Sequence, residues 1–182
     1  MNRLAKHRCY LCGPMEHAND GGVGWREYVK RELADLNLCW LDPCRKPTKD
    51  FIEDATTHQL LRSAKAAGDF EFVREAMKPV RCFDLRCTDV ADFLIVHLDI
   101  AIPTFGSIEE VANANREKKP ILVHVEGGAQ MASCWLIAMI PPELIFSTWD
   151  GLFQYVRHIA HDARIDPMNR WFFFDFSNSD EA

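Results

Sequence analysis

Apolar and polar positions along the chain switch repeatedly between strand-like runs and helix-like spacing. Arg8-Cys9-Tyr10-Leu11-Cys12 is a short, mostly apolar run closed by Gly13-Pro14, and it predicts a first strand. After a glycine-bearing loop, Trp25, Tyr28, Val29, Leu33 and Leu36 fall on one stripe of a helix. Leu38 to Leu41 predicts a second strand, ended by Asp42-Pro43. Residues 51–78 have helical spacing and are broken at Gly68-Asp69 into two helices, and residues 81–91 predict a further short helix. Phe93 to Leu98 is nearly all apolar, as a parallel strand covered on both faces should be. Ser107 is placed to cap a helix carrying Glu109, Glu110, Ala112 and Ala114. Lys118 and Lys119 suit the negative end of that helix, and Pro120 stops it. Ile121 to Val125 then predicts a strand, residues 130–140 a helix, residues 144–146 a last short strand, and residues 149–160 an apolar-faced helix.

Strands alternating with helices predict a parallel sheet with helices on both faces. Ligands in such sheets bind beyond the carboxyl ends of the strands. Asp99, Ser107 and Glu110 all fall at that edge, which makes it the expected place for chemistry. The loop from residue 15 to residue 24 leaves the same edge and contains Asp20, Gly21, Gly22 and Gly24. Such loops present backbone N–H groups to anions or hydroxyls. The dinucleotide fingerprint GxGxxG is absent from it. Asp20 and Arg26 read better as loop and helix-start residues than as ligands. The polar loop of residues 45–50 lies at the same edge, where it can help to form a pocket.

Length and charge narrow the reading. The 182 residues suffice for one well-buried domain, taken as 1–182, and are short for two. A net charge of −6 without a basic stripe argues against a nucleic-acid polymer as partner. No apolar run is long enough to span a bilayer, and the first residues lack a signal-peptide pattern, so a cytoplasmic protein without a membrane partner is expected. The seven cysteines are spread out. Cys9 and Cys12 lie on one strand, where residues three apart face opposite ways, so free thiols are the better reading than a metal site. His158 and His161 share a helix face without further ligands in the pattern. The aromatic segment of residues 170–176 is expected to pack on the core or on a neighbouring subunit.

Three pieces of the chain resemble the nucleoside 2-deoxyribosyltransferase superfamily, in its bacteriophage-like branch. Tyr10-Leu11-Cys12-Gly13-Pro14 is similar to that family's opening Tyr-Leu-Ala-Gly-Pro. Asp84-Leu85 followed by Ala91-Asp92 is similar to its Asp-Leu helix and Ala-Asp strand. Gly106-Ser107-Ile108-Glu109-Glu110, with Ala114 and Lys119-Pro120, is similar to its Gly-Thr-x-x-Glu and Lys-Pro pattern. The resemblance covers residues 8–125. It implies a flavodoxin-like (Rossmann-like) five-stranded parallel sheet and a homo-oligomer, dimer or higher, whose subunits complete each other's pockets.

It also implies roles. Glu110 would be the nucleophile at the anomeric carbon, Asp84 the group that exchanges a proton with the base, and Tyr10 the residue that holds Glu110. Gly13, Gly106 and Ser107 would face the sugar's 5′ end. The family often has an acid where this chain has Thr104, and Asp99 is the nearest acid that can substitute. A hydroxyl there is similar to the related hydrolases of nucleoside 5′-monophosphates. The expected partners are therefore a nucleoside or nucleoside monophosphate and a free nucleobase, with no cofactor and no metal. Base exchange is the first expectation and monophosphate hydrolysis the second. A non-catalytic nucleotide sensor is a third, and an NAD-cleaving relative of Toll/interleukin-receptor domains a more distant fourth.

Overall fold

A computed structural model describes residues 2–46, 55–161 and 170–171. Five strands are present: β1 (Arg8–Cys12), β2 (Cys39–Leu41), β3 (Phe93–Leu98), β4 (Ile121–Val125) and β5 (Ile145–Phe146). They form one all-parallel sheet in the order β2-β1-β3-β4-β5. That order and orientation make this an α/β protein of flavodoxin-like architecture. The helices are α1 (Val23–Glu32), α2 (Ala55–Ala66), α3 (Phe70–Val90), α4 (Phe105–Arg116), α5 (Cys134–Met139) and α6 (Trp149–His161).

Strand alternation sorts the core. Tyr10 pairs with Leu94 and Cys12 with Val96, so these four side chains face α3 and α4. Leu11 and His97 face the other way, towards Trp25 of α1 and Trp149 of α6. Tyr10, Leu11, Cys12, Phe93, Leu94, Ile95, Val96, Leu122 and Val123 are all buried, as central parallel strands require.

Several elements differ from the sequence pattern. Residues 70–90 form one helix, where two were expected, one ending at Lys78 and the next spanning residues 81–91. Pro79 is exposed, so the Glu75 carbonyl that loses its helical partner faces water. Asp84 therefore sits inside α3 and caps nothing. Asp69 is the cap, its side chain accepting from the Phe72 N–H at 3.1 Å. Helix α4 begins three residues earlier than expected, and Thr104 stands at its cap position without a side-chain cap bond. Ser107 is thus a buried first-turn residue of α4 and not its cap. Helix α5 is short because Gly127 and Gly128 hold left-handed conformations and a 3-10 turn precedes it. Trp135 on α5 points outward.

Lys119 reaches a different helix end from the one anticipated. Its ammonium donates to the Thr88 and Asp89 carbonyls at the carboxyl end of α3. In the aromatic tail Trp171 is fully buried beside Phe93 and donates to the Tyr155 hydroxyl at 3.1 Å. The rest of that aromatic segment, and residues 47–50 of the polar loop, lie outside the described residues. No helix among the described residues is long and apolar enough to cross a membrane.

Candidate active site

Two cavities open at the carboxyl edge of the sheet, one on each face. The larger, about 540 Å³, lies on the α3/α4 face. Its walls come from the β1–α1 loop, α2, α3 and the start of α4, and Gly13, Asp84, Thr104, Gly106, Ser107 and Glu110 all line it. Residues distant in sequence are brought together because β1 and β3 are neighbours in the sheet. The loop after each strand then meets the other.

Glu110 is gripped at both carboxylate oxygens. The Tyr10 hydroxyl donates to Oε1 at 3.0 Å, and the Cys12 thiol donates to Oε2 at 2.9 Å. Both donors are fully buried on β1, two residues apart and so on one face. Cys12 also lies 3.6 Å from the Ser107 carbonyl, which ties the strand to the first turn of α4. Burial, and then the negative charge of Glu110, push the Tyr10 hydroxyl well above its usual range. The same two causes raise the Cys12 thiol. Both groups therefore keep their protons and remain donors at neutral pH.

Adjacent Glu109 is turned away. Arg81 binds it, with Nε 2.8 Å from Oε2, and that hydrogen bond lowers its pKa. Of the two glutamates, Glu110 is the one held against β1.

Asp84 projects from α3 and forms an ion pair with Lys46, at 3.0 Å from the ammonium. Both side chains are nearly buried. Lys46 belongs to the polar loop that was expected to reach this edge, and it stands close to the Phe83 ring. The Asp84 and Glu110 carboxylates thus belong to one cavity, each with its own buried partner.

Gly13 and its loop are fixed from below. A side chain at Gly13 would collide with the Trp25 indole at 2.7 Å and the His97 carbonyl at 2.9 Å, so the close approach requires glycine. Arg26 is fully buried and is a brace, not a ligand. It donates to the carbonyls of Leu11, Gly13 and Gly22 at 3.2, 3.0 and 2.7 Å. Gly22 has φ 78°, and a Cβ there would lie 2.2 Å from the Pro14 carbonyl oxygen.

Three sequence-predicted residues do not line the cavity: Tyr10, which is fully buried behind Glu110, Asp20 and Asp99. Asp20 is exposed, and its carboxylate accepts from the Gly22 and Gly24 N–H groups at 2.8 and 2.7 Å, closing the turn into α1. Those bonds lower its pKa, that to Gly24 most. Asp99 caps its own turn through the Ala101 N–H at 2.8 Å, and it opens on the smaller cavity of about 290 Å³. It therefore does not stand in for the acid that Thr104 replaces. Asp92 is structural and binds Arg8 through that residue's backbone N–H and guanidinium. Burial, which alone would raise its pKa, is outweighed by its bonds to Arg8, and the net shift is downward.

Sequence reasoning missed three residues here. Cys12 shares its face with Tyr10 by strand alternation, a signal that was present in the pattern. Lys46 had none beyond its place in a polar loop. His58 on α2 lines the cavity and is buried, and helical spacing alone does not mark it.

The smaller cavity is lined by His97, Asp99, His124 and Glu126 among others. The two imidazoles meet at 3.1 Å, Nδ1 to Nδ1, and His124 stacks on Trp149 with centroids 4.1 Å apart. Burial lowers both pKa values, that of His124 to about 4. Among the described residues no group of three or more His, Cys, Asp or Glu side chains is arranged to hold a metal ion. All seven cysteines are free thiols.

In comparisons with known proteins, the chain matches no family model and no curated sequence.

Proposed function

We propose that this protein exchanges the base of a 2′-deoxyribonucleoside through a glycosyl intermediate on Glu110. One observation carries the reading. A carboxylate is held by two buried donors in a cavity that also holds a second carboxylate with its own cation. Breaking the bond between sugar and base passes through an oxocarbenium-like state. A carboxylate positioned under the anomeric carbon stabilises that charge and then bonds to the carbon.

In the proposed cycle, a Glu110 oxygen attacks C1′ from the face opposite the base. The C1′–N bond breaks, and its electron pair leaves with the base. The Asp84–Lys46 pair supplies the proton that the departing nitrogen takes up. A second base then attacks C1′, the bond to Glu110 breaks, and the pair recovers a proton from the incoming nitrogen. No cofactor is required for this balance. Tyr10 and Cys12 hold the nucleophile in place, while Gly13, Gly106, Ser107 and Thr104 receive the sugar's 5′ end. The reaction would take place on free nucleosides in the cytoplasm. Exposed Ile100 and Phe105, at the same edge as the cavity, favour a homo-oligomer in which a second copy covers them.

A specific feature favours a second reading, hydrolysis of a 2′-deoxynucleoside 5′-monophosphate by the same glutamate. The amino end of α4 meets the cavity with Thr104 and Ser107 hydroxyls instead of a carboxylate, and Lys65 and Arg74 line the cavity as well. A 5′-phosphate is compatible with that end.

The test is incubation of deoxyadenosine, or its monophosphate, with free cytosine. A new deoxycytidine peak supports transfer. Loss of base to water alone selects hydrolysis. Binding of the nucleoside without turnover, unchanged in Glu110→Gln, would overturn both readings.

A further inference from the structure

An imidazole in this cavity has no hydrogen-bond partner among the described residues. His58, on the twelve-residue helix α2, is only 4% exposed, and neither Nδ1 nor Nε2 has a hydrogen-bond partner among the described residues. Buried polar groups are almost always paired, and an orphan costs stability. A folded protein that keeps such a group at a cavity wall has a reason outside its own free state. His58 lines the cavity from α2 together with Leu61, α3 adds Val73 and Met77, and Glu110 stands on α4. Helix α2 is tied down over the β1–α1 loop, because Arg62 donates to the Glu16 carbonyl at 3.0 Å and Lys65 to its carboxylate at 3.1 Å.

We infer that His58 reads the nucleobase of the substrate, with the flat heterocycle lying against the apolar side chains of α2 and α3. This rests on the reading of the cavity as a nucleoside site. The chemistry of the imidazole selects the ligand class. A neutral imidazole has one donor and one acceptor nitrogen. A phosphate offers acceptors only and leaves the acceptor nitrogen orphaned. A nucleobase edge, with N–H and carbonyl or ring nitrogen side by side, meets either nitrogen, and a sugar hydroxyl or water completes the other. His58 is thus a specificity-determining residue and takes no part in bond breaking.

The test uses His58→Ala, His58→Gln and His58→Leu. Initial rates are measured with deoxyadenosine, deoxyguanosine, deoxycytidine and thymidine. His58→Ala should raise KM for the preferred base about tenfold, a typical loss for one buried hydrogen bond, and should narrow the spread among bases. His58→Gln, whose amide both donates and accepts, should recover most of that preference. His58→Leu should raise the melting temperature of the ligand-free protein, because the orphan is replaced by an apolar group. An imidazole with a purely structural role would give a fall. A KM and base ranking in His58→Ala within about twofold of the unmodified protein would overturn the inference, and so would a lowered melting temperature in His58→Leu.

A separate arm needs no turnover. Adenine, guanine, cytosine and thymine are titrated while the ring-nitrogen resonances of His58 are followed by NMR. If none of the four moves them, the assignment of His58 is wrong even where the enzyme works. If one of them does and no nucleoside is turned over, the chemistry assigned to Glu110 is what has failed.

Discussion

Removing the two donors to Glu110, singly and together, probes the centre of the site. Tyr10→Phe deletes one hydroxyl and keeps the buried ring. The lost bond is 3.0 Å long, comes from a fully buried residue, and ends on a half-buried carboxylate. Hydrogen bonds to charged groups contribute about 1.5–3 kcal/mol, which corresponds to roughly ten- to a hundredfold in rate if the bond acts in the transition state. Cys12→Ala removes a thiol, a weaker donor, so its loss should be about three- to tenfold. The two donors hold one carboxylate, so their effects should not add. Each single variant keeps one donor on the carboxylate, and the double variant, which keeps neither, should have an activity below the product of the two single-variant activities. The assay is base exchange between deoxyadenosine and cytosine, with kcat and KM separated. Circular dichroism and melting curves check that each variant is folded. A Tyr10→Phe enzyme within twofold of the unmodified protein would refute the idea that the hydroxyl positions the nucleophile.

Three further outcomes follow from buried groups. His124 has its pKa lowered from 6.5 to about 4, so the neutral form is favoured in the folded state and stability is present above pH 6.5 and lost as pH falls through about 4. The loss between pH 7 and pH 4.5 should be about 2 kcal/mol smaller in His124→Phe, read by urea unfolding, and equal losses would contradict it. Lys46→Met removes the buried ammonium paired with Asp84, and unfolding should become easier by roughly 3 kcal/mol. The double change Lys46→Met with Asp84→Leu should restore most of that stability while ending turnover. Gly22→Ala meets both a left-handed φ and the Pro14 carbonyl, and it should lower the melting temperature more than Gly21→Ala, which meets open space.

The order of strands and helices was legible because each apolar run was bounded by a strong stop, as at Gly13-Pro14, Asp42-Pro43 and Pro120. Helix boundaries were less so. Pro79 reads as a breaker, yet an exposed carbonyl can do without its helical partner, so α3 continues. Ser107 has the chemistry of a cap, but the chain turns into α4 at Thr104. Among the expected site residues, Tyr10, Asp84 and Glu110 meet because β1, α3 and α4 lie on one face of the sheet, and alternation on β1 settled which side Tyr10 takes. Asp20, read as a loop residue, closes its own turn, and Asp99 does the same instead of reaching the larger cavity, because a carboxylate in a tight turn can spend itself on its own backbone. Lys46 and His58 left no trace in the pattern, since a lone basic or imidazole side chain gains meaning only from what folds against it.

The grip on Glu110 comes from two residues of a central strand, paired on both sides, whereas the opposite wall of the cavity is a helical hairpin, α2 and α3, resting on the loop after β1 through exposed contacts. The nucleophile and the base-reading wall are therefore housed on different elements, while Asp84, further along α3, keeps its part of the chemistry on the hairpin. Helix α2 and the first turns of α3 can be reshaped to accept other bases without retuning Glu110, which would let a lineage of such proteins diversify in diet while its nucleophile stands still.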